Sequence, residues 1–197
     1  MKRLLLTIIA ATLAVCSYAQ PRAVGIRSGA SGLEADYQHE LNIDQFLEGS
    51  IGTDFGYDNG RVKSGFKVTG IYNFVWATPA WTDYGSWALY AGPGLTLGYV
   101  NDETHFMKED GINLDIRFNN YGFMLGLCGQ VGLEYTFEFP LQLSVDLRPI
   151  IGFHVNEKYT YVNPADPTIK HSYKSKAGFY NNGLLSLIPS ISVRYCF

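Results

Sequence analysis

A chain of 197 residues with 47% hydrophobic and 15% aromatic content is about one domain long and too apolar for disorder. Its net charge of −3 excludes the basic footprint of a nucleic-acid-binding protein. Three cysteines are too few for a disulfide framework.

The first residues read as a secretory leader. Lys2 and Arg3 give a positive start, Leu4 through Val15 an apolar run, and Ser17-Tyr18-Ala19 a small-x-small cleavage site before Gln20. The run is too short for a membrane helix, which needs roughly 20 residues. Leu13-Ala14-Val15-Cys16 partly resembles a lipoprotein box, but the residue before the cysteine is normally small and Val15 fits poorly. The expected division is therefore a signal peptide over 1–19 and one domain over 20–197. Losing Lys2 and Arg3 leaves 13 basic against 18 acidic residues. Cys128 and Cys196 remain and are expected as free, buried thiols.

Beyond the leader the dominant signal is alternation of period two. Two short strands are expected around Ala23 to Ser28 and Leu33 to His39. Leu47, Ile51, Phe55 and Tyr57 then oppose Glu48, Ser50, Gly52 and Asp54. Phe66, Val68, Tyr72, Phe74 and Trp76 oppose Lys67, Thr69 and Asn73. Trp87, Leu89, Leu95, Leu97 and Tyr99 oppose Gly92, Gly94, Thr96 and Gly98. Phe123, Leu125, Leu127, Val131, Leu133 and Tyr135 oppose Gly126, Cys128, Gln130, Gly132, Glu134 and Thr136. Leu141 to Val155 alternates in the same way, with Ile150 the one break in its polar series. Leu185, Leu187, Ile191, Val193, Tyr195 and Phe197 complete an eighth strand, opposed by Ser186, Ser190, Ser192, Arg194 and Cys196.

Eight strands predict an antiparallel up-and-down transmembrane β-barrel, whose alternation keeps average hydropathy near zero. The polar face carries Arg27, Glu34, Asp36, Glu48, Asp54, Lys67, Glu134, Asp146, Arg148 and Arg194. In an eight-stranded barrel these point into a lumen that side chains fill. Facing lipid, each would cost up to about 2–4 kcal/mol near the midplane. Mixed signs predict a plugged lumen. The rival is a secreted lipocalin-like ligand-binding barrel, with apolar residues inward and charges outward.

Two long connections, 101–120 and 156–183, fall at one end, and short ones at Glu40 to Gln45, Ala77 to Gly85 and Glu138 to Pro140 at the other, the asymmetry of outer-membrane barrels. Trp76, Trp81, Trp87, Tyr135 and Phe197 map to the short-turn end, and Tyr57, Phe66, Tyr99, Phe123 and Phe153 to the opposite end, two girdles of the kind bilayer interfaces select. Pro93, Pro149 and Pro189 lie inside expected strands and predict bulges or register changes.

The ending Ile191-Ser192-Val193-Arg194-Tyr195-Cys196-Phe197 resembles the C-terminal strand of outer-membrane barrels. Val131 to Phe137 followed by Pro140 to Pro149 is similar to the penultimate hairpin of the small OmpX-like and PorT-like outer-membrane β-barrel domain family, and Tyr37-Gln38-His39 and Leu47-Glu48-Gly49 echo its second and third strands. The resemblance covers nearly all of the mature chain. It implies outer-membrane lipid as surroundings and recognition of Val193, Tyr195 and Phe197 by the barrel-assembly machinery. It implies no particular activity.

A lipid-modifying enzyme is the remaining alternative. His105 and His171 lie in the long connections near Asp110, Asp115, Ser172 and Ser175, without an ordered catalytic signature. No catalytic residue, metal ligand or cofactor is therefore assigned. Tyr159, Tyr161, Tyr173 and Tyr180 with Lys170 and Lys174 form a candidate contact surface for an extracellular protein or glycan; the rival role for them is at the headgroup level of the bilayer. The expected function is a non-enzymatic outer-membrane protein acting in envelope structure or surface binding.

Overall fold

The computed structural model of the chain describes residues 22–58, 61–107, 115–156, 159–163, 166–173 and 177–197, so the expected leader lies outside the described residues. The elements are β1 (Arg22–Gly29), β2 (Gly32–Asn42), β3 (Gln45–Asp58), β4 (Arg61–Ala77), β5 (Ser86–Met107), β6 (Asp115–Thr136), β7 (Leu141–Leu147), β8 (Ile150–Asn156), β9 (Tyr159–Asn163), β10 (Asp166–Tyr173), β11 (Ala177–Phe179), a 3₁₀ helix (Asn181–Leu187) and β12 (Ser190–Cys196).

β1 through β6 pair antiparallel in sequence order, and β1 closes the ring by pairing with β12 from Ala23↔Cys196 to Ser28↔Ile191. The Phe197 N–H donates to the Arg22 carbonyl at 2.8 Å, extending closure to the chain end. β7 and β8 act as one wall strand: Val131↔Leu147 and Cys128↔Ile150 keep the same register against β6. β11 and β12 share the eighth wall position, on β8 and β7 respectively. The result is a closed, eight-stranded antiparallel barrel. No described helix is long and apolar enough to cross a membrane, a test that strands do not enter.

Closure decides which face each side chain takes. Val24, Ile26, Val145, Ile191 and Val193 point outward, and Leu127 and Phe153 are 67% and 68% exposed. Leu143 is also exposed and Leu147 half-exposed. The outward apolar series from Leu143 to Val155, at ~3.3 Å per residue and ~40° tilt, stands roughly 30 Å high. At the rim holding the termini, Trp81, Trp87, Tyr135, Phe137 and Phe139 touch in succession, their ring centroids 4.6 to 5.5 Å apart. Toward the opposite rim Phe66, Tyr99 and Phe123 pair side by side across β4, β5 and β6. Two-residue turns join β1 to β2 and β2 to β3, and Gly32 and Gly85 take φ of +143° and +69°, which a side chain resists.

Several expectations are corrected. The connection 101–120 is mostly a hairpin: β5 and β6 stay paired as far as Met107↔Asp115. Its residues lack apolar alternation, but backbone pairing needs none. The connection 156–183 holds the β9–β10 hairpin, β11 and the 3₁₀ helix rather than one loop. Leu185 and Leu187 belong to that helix, so the last strand begins only at Ser190. Pro93 causes no register change: β4–β5 pairing keeps one register from Ile71↔Gly94 to Phe74↔Ala91, and the shift comes between Val75 and Ala77; at Pro149 the strand divides into β7 and β8, in one register on β6 but with partners β12 and β11 at different offsets on the other side. Losing one N–H interrupts a ladder without displacing it. Pro189 sits between the 3₁₀ helix and β12, where the eighth strand is broken. Both cysteines are free, but only Cys128 is buried; Cys196 is half-exposed beside the chain end.

Candidate functional site: the charge network in the lumen

All ten charges expected on the polar face are buried inside the ring, with Arg27, Lys67, Arg148 and Arg194 no more than 2% exposed. β1 supplies Arg27; β2 Glu34 and Asp36; β3 Glu48 and Asp54; β4 Lys67; β6 Glu134; β7 Asp146; β12 Arg194; Arg148 lies at the β7–β8 junction.

Glu34 is the hub. Its carboxylate lies 3.1 Å from Arg148, 3.3 Å from Lys67 and 3.5 Å from Arg27. Arg27 also donates to Asp146 at 2.8 Å, and Lys67 to Asp54 at 3.2 Å. Arg148 joins Glu34 to Glu48, and Arg194 joins Glu48 at 3.5 Å to Asp36. Gln38 donates to both Glu48 and Glu134, bringing the tenth charge into the same connected set. Each buried ion still loses its hydration, and the attraction of partners this close, with the added hydrogen bonds, offsets that cost. Arg148 on Glu48 reaches across the barrel and Arg194 on Asp36 spans β1 at Gly25, so both links tie together strands far apart in sequence.

Neutral polar groups that the alternation puts on the same face complete the network. Gln130 donates to Glu48 and accepts from Asn73, while Ser50 and Ser144 accept from Arg148 and Arg194. Phe46 and Tyr90 also point inward and meet edge to face at 5.2 Å, filling the lumen toward the rim of the termini. Parity was the available signal: Phe46 falls on the face of Glu48, and Tyr90 on that of Gly92. Gly132 makes room for Tyr90, since a Cβ there would lie 2.5 Å from the Tyr90 ring. Beside the charges, Ile71, Val100, Met124, Cys128, Ile150 and Tyr180 form an apolar cluster.

Tyr180 corrects the expected contact surface: it is fully buried and its hydroxyl donates to Asp54 at 2.5 Å. Aromatic character beside lysines does not distinguish a displayed ring from one that folds back into the lumen. Tyr159, Tyr161, Tyr173 and Lys170 fall in β9 and β10, with Tyr173↔Tyr159 and His171↔Tyr161 in register. Their side chains and all of Lys174 lie outside the described residues. His105 pairs with Arg117 in the β5–β6 hairpin, its side chain also outside the description. Among the described residues no group of three His, Cys, Asp or Glu side chains is placed to hold a metal ion.

Chemically, the carboxylates of this arrangement are engaged by the guanidinium and ammonium groups beside them. No protein-family model, curated protein or solved structure matches the chain.

Proposed function

We propose that this chain is an integral outer-membrane barrel, exported by a cleaved leader, with a sealed lumen and no catalytic role, that serves envelope structure or surface contact. One observation carries the reading: the barrel is inside-out for a soluble protein. Its charges are buried in the lumen and its aliphatic side chains, such as Ile191 at 58% exposure, cover the outside. A continuous exposed apolar belt is unsustainable in water and expected in lipid. A lipocalin-like barrel requires the opposite orientation.

On this reading Val193, Tyr195 and Phe197, all exposed, form the strand read by the assembly machinery, and the β5–β6 and β9–β10 hairpins form the surface offered to an extracellular protein or glycan. Cell fractionation tests it. The protein should pellet with outer membranes, need detergent for extraction, and migrate faster in unheated than in boiled gel samples. Recovery in a soluble fraction without detergent contradicts the proposal.

A further inference from the structure

The barrel wall has a seam. The β1–β2 hairpin stops at Gly29↔Gly32, whereas β3 and β4 continue to Asp58↔Arg61. Among the described residues, over the height above that turn, β11 has one sheet neighbour, β8, and β3 has one, β4, apart from the bond of Phe55 N–H to Ser31 O. The 3₁₀ helix Asn181–Leu187 occupies the gap. It runs seven residues, longer than the three or four usual for this conformation, and has no side-chain N-cap.

One side of this segment is attached to the wall: Tyr180 N–H donates to Gly152 O and Arg148 N–H to Ser186 O, at 2.9 and 3.1 Å. Across the seam the attachment is through side chains. Asp54 accepts from the Tyr180 hydroxyl and from Asn182 Nδ2 at 3.2 Å. Asn182 also reaches over the lumen to β5, donating to Asn101 O, and Asn181 N–H donates to Asp102 there. Leu184, Leu187 and Ile188 form an exposed apolar lip, and behind it sits the apolar cluster containing Tyr180 and Cys128.

We propose that the segment from Tyr180 to Ile188 is a lateral gate, latched by Asp54, that swings out and opens the upper lumen sideways. The β1–β2, β3–β4 and β5–β6 ladders run unbroken, whereas across this seam the described backbone attachment is the Phe55 N–H to Ser31 O bond, so opening here breaks few backbone bonds.

The native thiols report the motion. In the folded, detergent-solubilised protein, wild-type peptides covering Gly183 to Ile188 should exchange amide hydrogens faster than those of β8 and β12. Removing the Tyr180 and Asn182 bonds with Y180F/N182A, which leaves the Asp54–Lys67 pair intact, should raise both that exchange and N-ethylmaleimide labelling of Cys128 at least about tenfold, because bonds to a charged acceptor are lost. β3 to β6 exchange and Cys196 labelling should stay unchanged. Wild-type exchange as slow as in β8 and β12 overturns the proposal, as does unchanged Cys128 labelling in the variant. Acceleration spread evenly over all strands also overturns it, since the contacts then hold the fold rather than a gate. The wild-type measurement stands even if the variant does not fold.

Discussion

Replacing Arg148 by leucine tests whether the lumen is dry. The substitution removes the link between Glu34 and Glu48 but leaves both carboxylates in place. Glu34 keeps Lys67 and Arg27 at 3.3 and 3.5 Å, so the larger loss falls on Glu48, whose remaining cation is Arg194 at 3.5 Å. Removing one partner of a buried pair costs about 3–5 kcal/mol, a shift of roughly 10²- to 10⁴-fold in the folding equilibrium. With a urea slope of about 2 kcal/mol/M the midpoint falls by about 1.5–2.5 M. Unfolding in detergent micelles followed by tryptophan fluorescence measures this directly. The double variant R148L/E48L should recover more than half of the loss, because an apolar pair no longer leaves a buried charge unpaired. If R148L stays within about 0.5 kcal/mol of wild type, as surface substitutions do, water reaches the network and the sealed-lumen argument fails.

Val145→Arg places a charge in the outward apolar face and should cost about 2–4 kcal/mol in a bilayer if it lies near the midplane; equal stability of the variant and wild type refolded into lipid vesicles would count against lipid contact. Gly132→Ala forces the Tyr90 ring aside and should destabilise by about 1–3 kcal/mol, with Tyr90→Ala relieving much of the added clash; denaturant titration of the two single variants and the double decides this. Deleting Phe197 should reduce assembled barrel in cells while leaving refolding in detergent nearly intact, read by heat-modifiable migration; equal loss in both settings points to a purely structural role for the last residue.

The strands from β2 to β6 were legible because one face is charged and the other aliphatic, so Glu34, Asp36 and Glu48 declare their side without a structure. The ten charges could be assigned to one enclosure, but not their pairing: Arg148 meets Glu34 and Glu48 across the barrel, and such contacts depend on closure, which local periodicity does not encode. Two kinds of element escaped. β9 has alternating Tyr159, Tyr161 and neighbouring Thr160, Val162, a strand signal hidden inside a polar stretch, and the outer half of β5 pairs without any apolar pattern. The 3₁₀ helix escaped because Leu185, Leu187 and Ile191 keep strand parity across a break that only three-dimensional pairing reveals.

The three native tryptophans, Trp76, Trp81 and Trp87, all lie toward the rim of the termini. In vesicles of lipids brominated at defined depths, their fluorescence should be quenched most by bromines near the headgroups. A single tryptophan substituted at Ile191 in a tryptophan-free background should instead respond most to bromines near the middle of the acyl chain. Quenching of neither by any brominated lipid would contradict a barrel whose outer face spans the membrane.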